Sequence, residues 1–160
     1  MKLSDIINKD RIIIELKSNT KEDVINELID KIKSTSQVLN FEKLKNAIFE
    51  REEVLSTGIG NGIAIPHCRT NSVEGIIAAF GRASNPVEFD SLDNKPVNIL
   101  FLFASNENLN SEHLKLLNQL GKIAHNKDLL NKLLTAKNVD EIYSALSESN
   151  GSELVYSNNT

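Results

Sequence analysis

The 160-residue chain contains one cysteine, Cys68. With no second thiol there is no internal disulfide, and a reducing compartment is expected. Positive charge is not in excess: 18 Lys and Arg against 22 Asp and Glu leave a net charge of -4. That excludes the basic patch or stripe of a general nucleic-acid binder. No apolar run approaches the roughly 18 residues that a membrane-spanning helix requires. The start, Met1-Lys2-Leu3-Ser4-Asp5, lacks the basic end, long apolar stretch and cleavage site of a signal peptide. Internal repeats, low-complexity blocks and linkers are also missing. These absences predict a cytoplasmic protein without membrane insertion. With 40% apolar and 25% charged residues, the composition is that of an ordinary globular protein. The length suits one domain over 1–150, followed by a polar tail over 151–160.

Strand and helix signals alternate in a definite order. The β-branched run over 11–16 reads as a buried strand. Thr20 is placed to cap a helix in which Val24, Leu28 and Ile32 form an apolar stripe with Ile25 and Ile29. Asn40 is placed to cap a second helix, with Phe41, Leu44, Ala47 and Ile48 on one face. A loop over 56–61 precedes the short strand 63–65, which Pro66 stops. Two more buried strands are predicted over 76–80 and 97–103, the latter central. Leu114, Leu117, Leu120 and Ala124 show helical spacing, as do Leu129, Leu130, Leu133 and Leu134. Asn138 with Glu141 marks a last helix carrying Ile142, Ala145 and Leu146. The order predicts an α/β (α+β) fold, a small mixed sheet with helices on both faces.

Chemistry concentrates between Arg51 and Thr70. A glycine-punctuated loop leads to a short strand and to His67, which Pro66 holds at a strand end. Gly58, Gly60 and Gly62 let backbone approach a ligand, with the hydroxyls of Ser56 and Thr57 nearby. Arg51 and Arg69 bracket the loop and suit an anion, although Arg51 equally suits a helix C-terminus and Arg69 an exposed turn. The glycine spacing fits neither the dinucleotide fingerprint nor the P-loop. His67, Cys68, His113 and His125 lack metal-ligand spacing, and neighbours on an extended chain, such as His67 and Cys68, point to opposite faces. The same geometry argues against a Cys–His pair, and His125 reads as surface. What remains is a lone histidine beside cations, hydroxyls and amides. Neutral imidazole is a competent nucleophile near pH 7, and phosphoryl transfer asks mainly for positioning and charge stabilisation.

The run Thr57-Gly58-Ile59-Gly60-Asn61-Gly62-Ile63-Ala64-Ile65-Pro66-His67 resembles the signature of enzyme IIA of the bacterial phosphoenolpyruvate-dependent phosphotransferase system, in its fructose–mannitol–nitrogen (type 2) family. The segment Phe89-Asp90-Ser91-Leu92-Asp93-Asn94-Lys95-Pro96-Val97 is similar to that family's approach to its central strand. His113-Leu114-Lys115-Leu116-Leu117 resembles the second family histidine at a helix start. The likeness covers about 3–146. It implies a phosphotransferase in which His67 takes a phosphoryl group from the carrier HPr, His113 supports the site, and Arg51 stabilises the phosphate. It further implies a phosphate loop of Thr57, Gly58, Gly60 and Asn61, and no metal or organic cofactor. The implied partners are an HPr-type donor and either a IIB-type acceptor or regulated proteins. The nitrogen-regulatory branch is slightly favoured over dedicated fructose or mannitol uptake and over a non-transferring binding module. Where the family has Gly or Ala after the histidine, this chain has Cys68.

Overall fold

The computed structural model describes residues 2–158; residues 1, 159 and 160 and the side chains of 149–158 lie outside the described residues. The elements run α1 (Leu3–Ile6), β1 (Ile12–Ile13), α2 (Lys21–Ile32), α3 (Phe41–Val54), β2 (Gly58–Gly60), β3 (Ile63–Ala64), β4 (His67–Arg69), β5 (Ile76–Val87), β6 (Val97–Ser105), α4 (Asn110–Ile123), α5 (Lys127–Thr135) and α6 (Val139–Asn158). The expected polar tail, 151–160, coincides with the end of α6 and with residues outside those described.

The sheet is mixed, with strand order β1-β5-β6-β3-β2 and β4 also on β6. β6 lies centrally, as expected. Its burial is almost continuous, the pattern of a strand covered on both faces. β5 runs antiparallel along one side of it. Along the other side lie β3 and β4, both parallel: Ile63 opposes Ile99, and His67 opposes Phe103. They are one strand interrupted at Ile65 and Pro66. Pro66 has no N–H to give, yet its carbonyl still accepts from Phe103 N at 3.0 Å, so the chain regains the ladder at His67.

Side-chain alternation along β6 builds two cores. Ile99, Phe101 and Phe103 pack with α1, α4, α5 and α6. Leu100, Leu102 and Ala104 pack with α2 and α3. The three expected caps form: Thr20 Oγ1 accepts from Asp23 N, Asn40 Oδ1 from Lys43 N, and Asn138 Oδ1 from Glu141 N.

Three expectations shift. The strand over 11–16 reduces to Ile12–Ile13, because the Ile14 carbonyl accepts from Arg82 Nε instead of joining the ladder. The strand 76–80 extends to Val87, through a register irregularity after Arg82. On α4 the buried stripe is His113, Leu116, Leu120 and Ile123, whereas Leu114 is exposed. A polar histidine in the apolar stripe conceals its phase, and the stripe places His113 against the sheet.

Candidate functional site

His67 opens β4 beside Phe103 and is only 7% exposed. Its ring stacks on that of Phe103, with centroids 5.4 Å apart and planes 12° from parallel. Its Nδ1 lies 2.6 Å from the Ile65 carbonyl. A carbonyl only accepts, so Nδ1 carries the proton and the lone pair of the neutral ring sits on Nε2. The Ile65 carbonyl, at the break between β3 and β4, thus sets the tautomer of His67.

The ring of His113, brought by the first turn of α4, lies 5.5 Å from that of His67 and 4.9 Å from that of Phe103. It is 4% exposed, and its Nδ1 pairs at 2.5 Å with Oγ of Ser105, which is fully buried. Burial is the leading cause that drives the His113 pKa down to about 4, helped by the neighbouring His67 and Arg69. Burial also lowers the His67 pKa, and the charges of Arg51 and Arg69 add to it. The Ile65 hydrogen bond and the charge of Glu52 oppose the shift. Both rings are therefore neutral near pH 7.

Cys68 faces the other way, into the core under α2 and α3, as alternation along a strand requires. Burial pushes its thiol up to about 12, far from thiolate chemistry. His125 is exposed, as expected. Among the described residues, no group of three or more His, Cys, Asp or Glu is arranged to hold a metal ion.

The cations divide their duties. Arg51 sits in the last turn of α3, where its guanidinium donates to the Leu55 carbonyl at 2.8 Å. The helix C-terminus reading of Arg51 therefore applies, and its charge also reaches His67. Arg69 does not start an exposed turn. It lies on β4, two residues after His67, so its side chain leaves from the same face of the strand. Its guanidinium bonds the Asn110 side chain at the start of α4, and its charge acts on both histidines. The period-two spacing from His67 was the available signal.

The expected phosphate loop is arranged differently. Thr57 gives its N–H and its hydroxyl to the buried Glu52, at 2.8 and 2.6 Å. Gly58 N donates to Ser56 Oγ, and Asn61 N to Asp93 Oδ2. These donors are committed inside the protein and do not form an open anion cradle. A side chain at Gly58 would run into Ser91, so that glycine serves close packing. Gly60 opposes Ile63, which is level with Ile99, while His67 is level with Phe103. Four residues of strand separate those levels, about 13 Å at about 3.3 Å each. The Asn61 side chain donates to the Ala124 carbonyl at 2.7 Å, at the opposite end of α4 from His113. Gly60 and Asn61 belong to a structural turn, with φ of 106° and 55°, and only Thr57 and Gly58 approach the histidine end. Glu52 escaped the sequence reading because its partners meet only in the fold.

Residues 5–149 match the family model for the phosphoenolpyruvate-dependent sugar phosphotransferase system, EIIA 2. The chain belongs to this family. The EIIA domain is 34% identical over 148 residues to the PTS system fructose-specific EIIABC component of Bacillus subtilis. That alignment covers 92% of this chain but only 23% of the relative. It is 31% identical to the nitrogen regulatory protein of Bradyrhizobium diazoefficiens, covering 91% of this chain and 95% of the relative. Among solved structures it is similar to the nitrogen regulatory protein IIA-Ntr of Neisseria meningitidis. There the TM-score is 0.84 at 30% identity, covering 90% of this chain and 98% of the other. The EIIA domain thus has the fold and family expected from its 57–67 run.

Proposed function

We propose that this EIIA domain carries a phosphoryl group on Nε2 of His67, accepted from an HPr-type phosphohistidine and released to a protein partner. The single observation that supports it best is the 2.6 Å bond from Nδ1 to the Ile65 carbonyl, which leaves Nε2 as the nucleophile of a neutral, buried ring. In the transfer, the Nε2 lone pair forms the new N–P bond while the donor's N–P bond breaks and its electron pair returns to the donor ring. The phosphorylated ring keeps its proton on Nδ1 and becomes cationic, with the Ile65 carbonyl as its acceptor. When Ser105 donates to Nδ1 of His113, the Nε2–H of that ring is left to hold a phosphoryl oxygen. Arg51 and Arg69 offset the charge of the phosphoryl group. This chemistry calls for no metal or organic cofactor.

No helix among the described residues is long and apolar enough to cross a membrane, and both donor and acceptor in this reading are cytoplasmic proteins. The TM-score of 0.84 to IIA-Ntr and the near-complete span of a nitrogen regulatory relative favour regulatory use, in which phosphorylation state governs protein binding. The likeness to a fructose-specific component supports the second reading, onward transfer to a IIB-type acceptor for sugar uptake.

Intact-mass spectrometry after incubation with phosphoenolpyruvate, enzyme I and HPr tests the proposal. One acid-labile phosphoryl group on the wild type and none on His67→Ala is expected. Uptake by the mutant equal to wild type would sink it. Adding a IIB-type protein to the phosphorylated domain then separates the readings: rapid loss of the phosphoryl group indicates sugar transfer, and a stable phosphoprotein with altered binding partners indicates regulation.

A further inference from the structure

The buried face of α3 repeats every four residues as Leu44, Ile48 and Glu52. A carboxylate at the third position of an apolar stripe carries a large desolvation cost unless it is fully partnered. Glu52 is 7% exposed and has three partners. It accepts from Thr57 N at 2.8 Å and from Thr57 Oγ1 at 2.6 Å, and pairs with Lys21 Nζ at 3.0 Å. Lys21 enters from the first turn of α2, over the ring of Phe89, so the carboxylate ties α2 and α3 to one residue of the signature segment.

That residue leads to the histidine. The Thr57 carbonyl accepts from Ile65 N at 3.0 Å, and the Ile65 carbonyl accepts from His67 Nδ1 at 2.6 Å. A continuous run of short bonds therefore joins Glu52 to the imidazole, and every link is buried.

We propose that Glu52 is a positioning residue for His67: acting through Thr57 and Ile65, it fixes the ring with Nδ1–H turned into the protein and the Nε2 lone pair kept for the incoming group. Its charge has a second consequence. Glu52 is the anionic neighbour of His67 in a group where Arg51, Arg69 and His113 supply the other titratable or charged members. It favours positive charge on the ring, which is the charge that phosphorylation creates. The kinetic part of the inference rests on the phosphocarrier reading; the geometric part does not.

The test compares full-length wild type, Glu52→Gln and Glu52→Met. Gln keeps an acceptor for Thr57 N–H, whereas Met fills the space without one. Long-range nitrogen–proton NMR of the unphosphorylated protein reads the His67 tautomer directly. Wild type and Glu52→Gln are expected to hold one Nδ1–H tautomer, and Glu52→Met a mixture. Phosphorylation by phospho-HPr should then lose about ten- to a hundredfold in kcat for Met, the scale of a misplaced reacting group, with KM within about twofold and substantial rescue by Gln. A folded Met variant with the wild-type tautomer and kcat overturns the assignment. If Met does not fold, Glu52→Ala is read in its place by the same tautomer and kcat criteria; in the Gln variant, which lacks the anionic neighbour, the His67 titration should move further down, and an unmoved midpoint overturns the charge part of the inference. A wild type that takes no phosphoryl group would defeat the carrier reading alone, the spectra still deciding for or against Glu52.

Discussion

The imidazole of His67 stacks on the ring of Phe103, its partner across parallel strands β4 and β6, at 5.4 Å and 12°. Phe103 is fully buried in the core beneath α4, so a single aromatic ring both fills the interior and forms the floor of the site. Phe103→Ala should cost about 3–5 kcal/mol in urea unfolding. Phe103→Leu should cost less than about 1.5 kcal/mol yet still slow phosphorylation of His67. A Leu variant with unchanged phosphorylation kinetics would show that the stack does not orient the ring.

Acid should destabilise the protein through its histidines. His113 titrates near 4 in the folded state and near 6.5 when unfolded. Between those values the unfolded chain binds more protons, so stability rises with pH across that window and is flat, for this group, above it. His67, also depressed, adds to the same trend. Urea unfolding from pH 4 to 7 should show this slope, and His113→Gln should reduce it. NMR of the His113 ring should give a midpoint near 4; a midpoint near 6.5 would contradict the buried setting.

The two arginines should be separable by titration. Arg69 acts on both histidines, while Arg51 acts on His67. Arg69→Gln should raise both histidine pKa values, and Arg51→Gln that of His67 alone. Both shifts should shrink with added salt, in proportion to how well solvent screens each guanidinium. Identical effects of the two variants on His113 would be inconsistent with this geometry.

Asn61 provides the opposite control. It holds the Ala124 carbonyl and adopts a left-handed φ of 55°, which alanine tolerates poorly. Asn61→Ala should cost about 1–3 kcal/mol of stability and leave the phosphorylation rate of the folded protein within about twofold of wild type. A large rate loss at unchanged stability would return Asn61 to the candidate site.

Local features were legible in the sequence where the physics is local. Thr20, Asn40 and Asn138 cap their helices by reaching an amide three residues on, an interaction that needs no tertiary partner. The opposed directions of His67 and Cys68 followed from strand alternation alone. What stayed hidden depended on partners distant in sequence. Pro66 reads as a strand stop, whereas β6 lets the interrupted strand resume as β4. His113 does sit at a helix start, but a polar residue in an apolar stripe conceals that this face of α4 is the buried one. The Thr57 hydroxyl is taken up by Glu52, a pairing that only the folded chain shows. Gly60 and Asn61 lie near His67 along the chain, but an extended strand carries them to the far end of the sheet.

Cys68 follows His67 directly, yet lies sealed in the opposite core with its proton firmly held. The chain therefore contains its own opening clock. A thiol reagent cannot reach that sulfur until the cover that α2 and α3 form over β4 opens, so the alkylation rate counts openings of the layer behind the segment that carries His67. No label has to be engineered in, and the same clock, read with and without a phosphoryl group next door, would report how strongly the modification grips the sheet.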